Sequence, residues 1–198
     1  MLDSCVFLEL TLPGLDFHQA RLHKTTFVKS TLEAADFSEA MLDSCSFVET
    51  NADEARFISA TWVTCAAASE STFNRADFTH ATLRQSNLRQ TALCGASFAL
   101  AKLENTDLSE ADCRGASFQR ACMVGSMFIR TDFRGVDFTN ANLMGALLQK
   151  SQLGGADFNG ANLFRADLSQ SFTSDETRMN GAFTKRVKTL PKRDGEVV

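Results

Sequence analysis

Few side chains in this 198-residue chain could do chemistry, and they are scattered. His18, His23 and His80 could act as general bases beside a carboxylate or hydroxyl, because imidazole titrates near neutrality. Cys5, Cys45, Cys65, Cys94, Cys113 and Cys122 could bind a metal or exchange disulfides. No C-x-x-C pair occurs among them, however, and metal-site spacing is absent. Walker and dinucleotide glycine motifs are missing, and Gly154, Gly155 and Gly160 do not build a phosphate loop. What recurs is an aspartate before a phenylalanine, among them Asp16, Asp36, Asp77, Asp137 and Asp157. Such a line of carboxylates could receive a protein that binds polyanions. Its oxygens could instead cap backbone N–H groups at turns, and that role is favoured because Asp and Asn share this phase elsewhere.

The element that positions these residues is a repeat of five. Residues 155–168 read GADFNGANLFRADL, in which Ala156, Ala161 and Ala166 each precede Asp or Asn and then Phe158, Leu163 or Leu168. Five matches neither the period of a helix nor that of a flat strand. Taking the large residue as a centre, 14 units run from Leu2 to Ala67 and, after one inserted residue, 20 more run from Phe73 to Leu168. The position two before each centre is an independent check. Of 33 such positions, 17 are Ala, five Ser, five Thr and three Cys, and only Leu10, Leu15 and Val136 are larger. Eight glycines, from Gly14 to Gly160, lie two residues after a centre, the phase where a type II turn needs positive φ.

In these residues the chain resembles the pentapeptide repeat family, whose signature is A-(D/N)-L-x-x. The resemblance covers residues 2–170. It implies an all-β fold, a right-handed quadrilateral parallel β-helix with four units per coil and centres and small residues pointing inward. The 34 units then make about 8.5 coils, a rod of about 41 Å at the usual strand spacing. Every fourth centre is phenylalanine: Phe17, Phe37, Phe57, Phe78, Phe98, Phe118, Phe138 and Phe158. A stacked aromatic ladder is expected there, in phase across a one-residue bulge near 66–71. Residues 171–198 are expected to form a partial coil or cap, with Met179 as a further centre, followed by a basic tail of Lys185, Arg186, Lys188, Lys192 and Arg193 around Pro191. The tail is expected to be solvated beyond Pro191. Repeat ends need covering. The first coil is therefore expected to be covered by a partner subunit, continued by further chain, or frayed.

Inside such a rod a thiol is a compact filler, which suits Cys5, Cys45, Cys65 and Cys113, while Cys94 and Cys122 are expected to be exposed. A packed rod offers no cleft, so neither an enzyme nor a cofactor or metal is expected. No apolar run is long enough for a membrane-spanning helix and no secretory signal precedes the repeat, so a cytoplasmic protein is expected. Charge is uneven: residues 1–72 carry net −7, residues 73–170 net +1 and residues 171–198 net +2. The resemblance implies two roles. One is a non-catalytic protein–protein interaction scaffold, with a homodimer through a terminal coil as one form of association. The other is a DNA mimic that binds DNA gyrase or topoisomerase IV, as quinolone-resistance members do, and contacts no nucleic acid itself. The stretch from Asn162 to Arg193 is also similar to accessory proteins of type VI secretion loci.

Overall fold

The computed structural model describes residues 1–68 and 70–189. The backbone turns a corner after every unit and returns to its starting wall after four. At most corners the N–H three residues after the centre donates to the centre's carbonyl, as from Ala20 to Phe17 at 2.9 Å and from Ala35 to Leu32 at 3.0 Å. The residue before that donor holds positive φ, from Gly14 at 65° to non-glycine residues such as Gln19 at 56° and Glu39 at 58°. A side chain there is strained in isolation. The ladders on either side hold it in place.

The extended segments are β1 (Leu2–Asp3), β2 (Val6–Leu8), β3 (Arg21–His23), β4 (Thr26–Val28), β5 (Met41–Asp43), β6 (Ser46–Val48), β7 (Thr61–Val63), β8 (Ala66–Ala68) and β9 (Thr82–Arg84). Wall 1 is the parallel sheet β1-β3-β5-β7-β9 and wall 2 the parallel sheet β2-β4-β6-β8. Walls 3 and 4, which start at Leu12 and Phe17, carry single bridges at the residue before each centre, such as Thr11 to Thr31 and Asp16 to Asp36. Beyond β9 all four walls continue in that form.

Register shows where residues are added. Partners lie 20 apart from Val6↔Thr26 onward, 21 apart at Asn51↔Thr72 and Trp62↔Leu83, and 20 apart again at Thr82↔Lys102. A second extra residue enters between Phe172 and Arg178, because Gln152 bridges Phe172 whereas Asp157 bridges Arg178. The ladder then continues through Phe183 and Lys188. The rod therefore runs one coil past the 8.5 expected. Met179, the further centre expected here, follows Arg178 in its bridge to Asp157, whereas Thr173, Thr184 and Thr189 occupy centre positions without being large and apolar, which hid the rest of the coil. Of the expected basic tail, Lys185, Arg186 and Lys188 belong to this added coil, where Asp167 bridges Lys188, and Pro191, Lys192 and Arg193 lie outside the described residues.

Inside, the aromatic ladder is continuous. Adjacent rings from Phe17 to Phe158 stack with centroids between 4.5 Å (Phe17–Phe37) and 5.4 Å (Phe118–Phe138). Wall 2 starts a second stack, Phe7–Phe27–Phe47, at 4.8 and 5.1 Å. The coil that holds the fully buried Trp62 has alanine at two other centres, Ala52 and Ala67, so one oversized ring is matched by two small neighbours. Most serines and threonines in the small inward positions are satisfied by the coil before, while Thr25, Ser86 and Thr91 donate to carbonyls two or three residues back in their own coil. Thr50, Thr106 and Thr131 donate to the carbonyls of Phe27, Leu83 and Leu108 at 2.8–3.0 Å. A hydroxyl can thus replace alanine without leaving a buried donor unpaired.

Phe98 is fully buried between Phe78 and Phe118. Phe98→Ala should cost about 3–5 kcal/mol, and Phe98→Asp should remove the cooperative transition altogether. Asp77→Ala, which deletes one exposed-side cap, should cost only about 1 kcal/mol. Circular dichroism melts of the three variants distinguish inward from outward positions; similar losses for Phe98→Ala and Asp77→Ala would contradict the assignment.

Candidate functional site

A filled interior leaves the outward positions as the working surface. Each wall presents two straight columns, one residue before and one after the centres, and a third at the corner. On wall 4 the column before the Phe ladder reads Asp16, Asp36, Arg56, Asp77, Ser97, Ser117, Asp137, Asp157 and Arg178, each bridged to the next. The five predicted carboxylates are therefore brought onto one line, interrupted by Arg56 and by two serines.

Each aspartate makes the same local hydrogen bond. Its Oδ1 accepts from the N–H two residues on: His18 at 2.8 Å, Ser38 at 2.8 Å, Thr79 at 2.9 Å, Thr139 at 2.8 Å and Asn159 at 2.9 Å. The motif satisfies a corner N–H that the ladder leaves over. Arg56 lies 3.8 Å from Asp36 and Arg178 lies 3.6 Å from Asp157, and each offsets part of the repulsion where it interrupts or ends the column. For Asp36, partial burial pulls the pKa up, but the hydrogen bonds from Ser38 and the charge of Arg56 outweigh it and the net shift is downward.

Wall 3 carries a denser charge cluster. Arg114 donates to both carboxylate oxygens of Asp112 at 2.8 and 2.7 Å, and Arg134 grips Asp132 in the same way one coil later. These guanidinium contacts, the largest influence in each case, hold both carboxyl groups below their ordinary range.

The other reactive side chains are not assembled. His18 and His80 are exposed at outward positions, and His23 Nδ1 lies 3.3 Å from Asp43 on wall 1. Cys45, Cys65 and Cys113 are buried, and burial drives the Cys113 thiol upward. Cys94 and Cys122 are half-buried rather than exposed. Neighbours one coil away cover them: Arg114 Nη2 lies 3.8 Å from Cys94 Sγ, and Glu104 Oε1 lies 3.8 Å from Cys122 Sγ. Among the described residues no group of His, Cys, Asp and Glu is arranged to hold a metal.

Apolar outward columns on wall 2 have no counterpart in the sequence reading. Leu8, Val28, Val48 and Ala68 lie in register on the four-stranded sheet, and Leu8 is 55% exposed. Further along the same wall Met127 bridges Leu147, with Ile129 beside them. Sorting the outward residues by wall, as was done for the centres, is the signal that reveals them.

A family model described as pentapeptide repeats matches the chain at residues 71–109, 96–135, 111–149 and 141–172. No curated protein gives a significant match. Among solved structures, one trypsin-treated variant of QnrB1, a plasmid-mediated fluoroquinolone resistance protein, is 21% identical over 93% of this chain and 91% of its own, with a TM-score of 0.60. Another QnrB1 variant is 18% identical over 95% and 91%, with a TM-score of 0.51. HetL, involved in heterocyst differentiation regulation in the cyanobacterium Nostoc sp. strain PCC 7120, is 19% identical over 100% and 93%, with a TM-score of 0.49. At these identities the likeness is one of fold.

Asp112 and Asp132 have depressed pKa values in the folded state, so their contribution is full above the unfolded-state value near 4 and is lost as pH falls through the lower folded values. Melting temperature should therefore fall below about pH 4. The fall should be smaller in Arg114→Gln and Arg134→Gln, because those carboxylates then titrate nearer their unfolded values. An acid limb unchanged in both variants would contradict this.

Proposed function

Because this chain belongs to the pentapeptide repeat family, with residues 71–172 matched by its model, we propose that it is a non-catalytic protein–protein interaction scaffold. The observation that carries this reading is the filled interior: from Phe17 to Leu168 the centres are buried, and with the small residues they leave the rod no cleft between its walls. Binding must then use the outward columns. Straight, parallel, chemically distinct columns at fixed spacing suit a rigid template for a partner that runs along the rod.

The wall 4 carboxylates support a second reading, in which the column stands in for a nucleic-acid backbone and occupies a DNA-binding protein. QnrB1 is described as a fluoroquinolone resistance protein, and DNA gyrase is the enzyme on which to test that reading here. Caps and arginines take up part of this negative charge, which ranks the mimic below the general scaffold.

Affinity capture with the purified chain, followed by reconstitution with the purified captured protein, tests the scaffold. A stoichiometric complex weakened by outward substitutions that leave melting unchanged is expected; binding indifferent to every outward wall would contradict it. A gyrase supercoiling assay with and without a fluoroquinolone separates the second reading. Inhibition or drug rescue that disappears in the triple variant Asp16→Ala, Asp36→Ala and Asp77→Ala favours the mimic, and no effect at about 50 µM protein, well above typical specific affinities, rejects it.

A further inference from the structure

Wall 2 carries two outward apolar stretches, one in its first four coils and one beyond its middle, before Asp167 and Lys188 continue the wall. The first is the column Leu8, Val28, Val48 and Ala68, with Ala66 beside Ala68 on β8. The second is Met127, Ile129 and Leu147, of which Met127 is 37% exposed. Between them runs a polar belt of Asn87, Arg89, Asp107 and Glu110, in which Arg89 pairs with Glu110 at 2.9 Å. Charge divides the same way. Glu9, Lys29 and Glu49 stand at the corner beside the first stretch, net negative with Lys29 3.9 Å from Glu49, whereas Arg130 and Lys150 stand at the same corner beside the second.

We propose that wall 2 packs against wall 2 of a second copy, antiparallel, about a two-fold axis that crosses the rods between the fifth and sixth coils. A two-fold interface must be self-complementary. Rotation about an axis lying in the contact plane, perpendicular to the rods, sets every column against the same column reversed. In this register Ala66 and Ala68 of one copy face Met127 and Ile129 of the other, so the small residues of β8 make room for the long ones. Ser46 faces Leu147. Asn87 faces Asp107 and Gln90 faces Glu110, placing amide donors against carboxylates. At the rim Glu49 meets Lys150, and each contact occurs twice.

Neighbouring registers are worse. A shift of one coil in one direction sets Arg89 against its own copy and Lys29 against Lys150, and a shift in the other sets Glu110 against itself. Like charges in contact select against both. In the favoured register the like pair Lys24 and Arg165 falls at the far ends, where solvent screens it. The strip from Val28 to Ser169 spans seven coil spacings, about 34 Å by 10 Å, which is small for a specific interface and marks a weak, transient pairing, with a dissociation constant expected on the order of tens of micromolar. This pairing is independent of which protein the other walls receive.

Sedimentation equilibrium of the full chain from about 1 to 500 µM tests the proposal across the expected constant. A reversible monomer–dimer equilibrium is expected. Ile129→Glu should be monomeric throughout with an unchanged circular dichroism spectrum, since its side chain points outward. Glu49→Lys and Lys150→Glu should each dimerise about tenfold more weakly, because each brings like charges together twice. An equimolar mixture of those two variants should recover the wild-type constant, because both rim contacts are then opposite in sign. A wild-type monomer at every concentration, a dimer that survives Ile129→Glu, or a mixture no tighter than the separate variants would each overturn it.

Discussion

Everything in this rod follows from one distance, the separation of neighbouring coils in a parallel ladder. Backbone hydrogen bonds fix it near 4.8 Å. Each wall then has room for a single large inward side chain per coil, and that side chain must tolerate an identical neighbour directly above and below. Phenyl rings meet the condition, because rings stacked face to face with a small offset sit at nearly the same spacing. The wall 4 ladder, with centroids 4.5 to 5.4 Å apart, stacks at the period that the ladder imposes. Alanine, serine and threonine between the large centres follow from the same lack of space. The strained corners follow too: glutamines, glutamates and arginines occupy positive φ because the walls on both sides leave the chain no other way to turn.

That single constraint explains how much was legible in advance. Two inward positions per unit obey it simultaneously, so residues 2–168 disclosed their period without reference to a fold, while the four walls, and with them the Phe ladder, followed from the four units per coil that the family resemblance implies. Only Met179 announced the last coil, because Thr173, Thr184 and Thr189 take its other centre positions, where burial is incomplete and size is not enforced. Corner conformation was visible only where glycine marked it, since the non-glycine corners are imposed by the walls and not by local preference. Cys94 and Cys122 were placed outward from their phase, but their half-burial depends on Arg114 and Glu104 in adjacent coils, a contact across some 20 residues that periodicity does not report.

The outward columns obey no comparable rule, which is why the sequence speaks less clearly about function. Asp16 and its equivalents combine a structural duty, capping a corner N–H, with a charge that a partner could use. The apolar columns of wall 2 have no such duty. Leu8, Val28 and Val48 point away from the core, and neither the ladder nor the stack requires them to be apolar. Inward positions make the rod and outward positions are left to distinguish one wall from another. The contrast between a carboxylate line on wall 4 and apolar stretches on wall 2 is where binding specificity can reside.

The most direct test of this division is a saturation substitution scan of residues 2–168 with soluble folded abundance as the readout. Intolerance should recur every five residues at the centres and at the small positions two before them, while most outward columns, wall 2 included, accept polar and charged residues. A profile without that period, or charged residues accepted along the Phe column, would contradict the account.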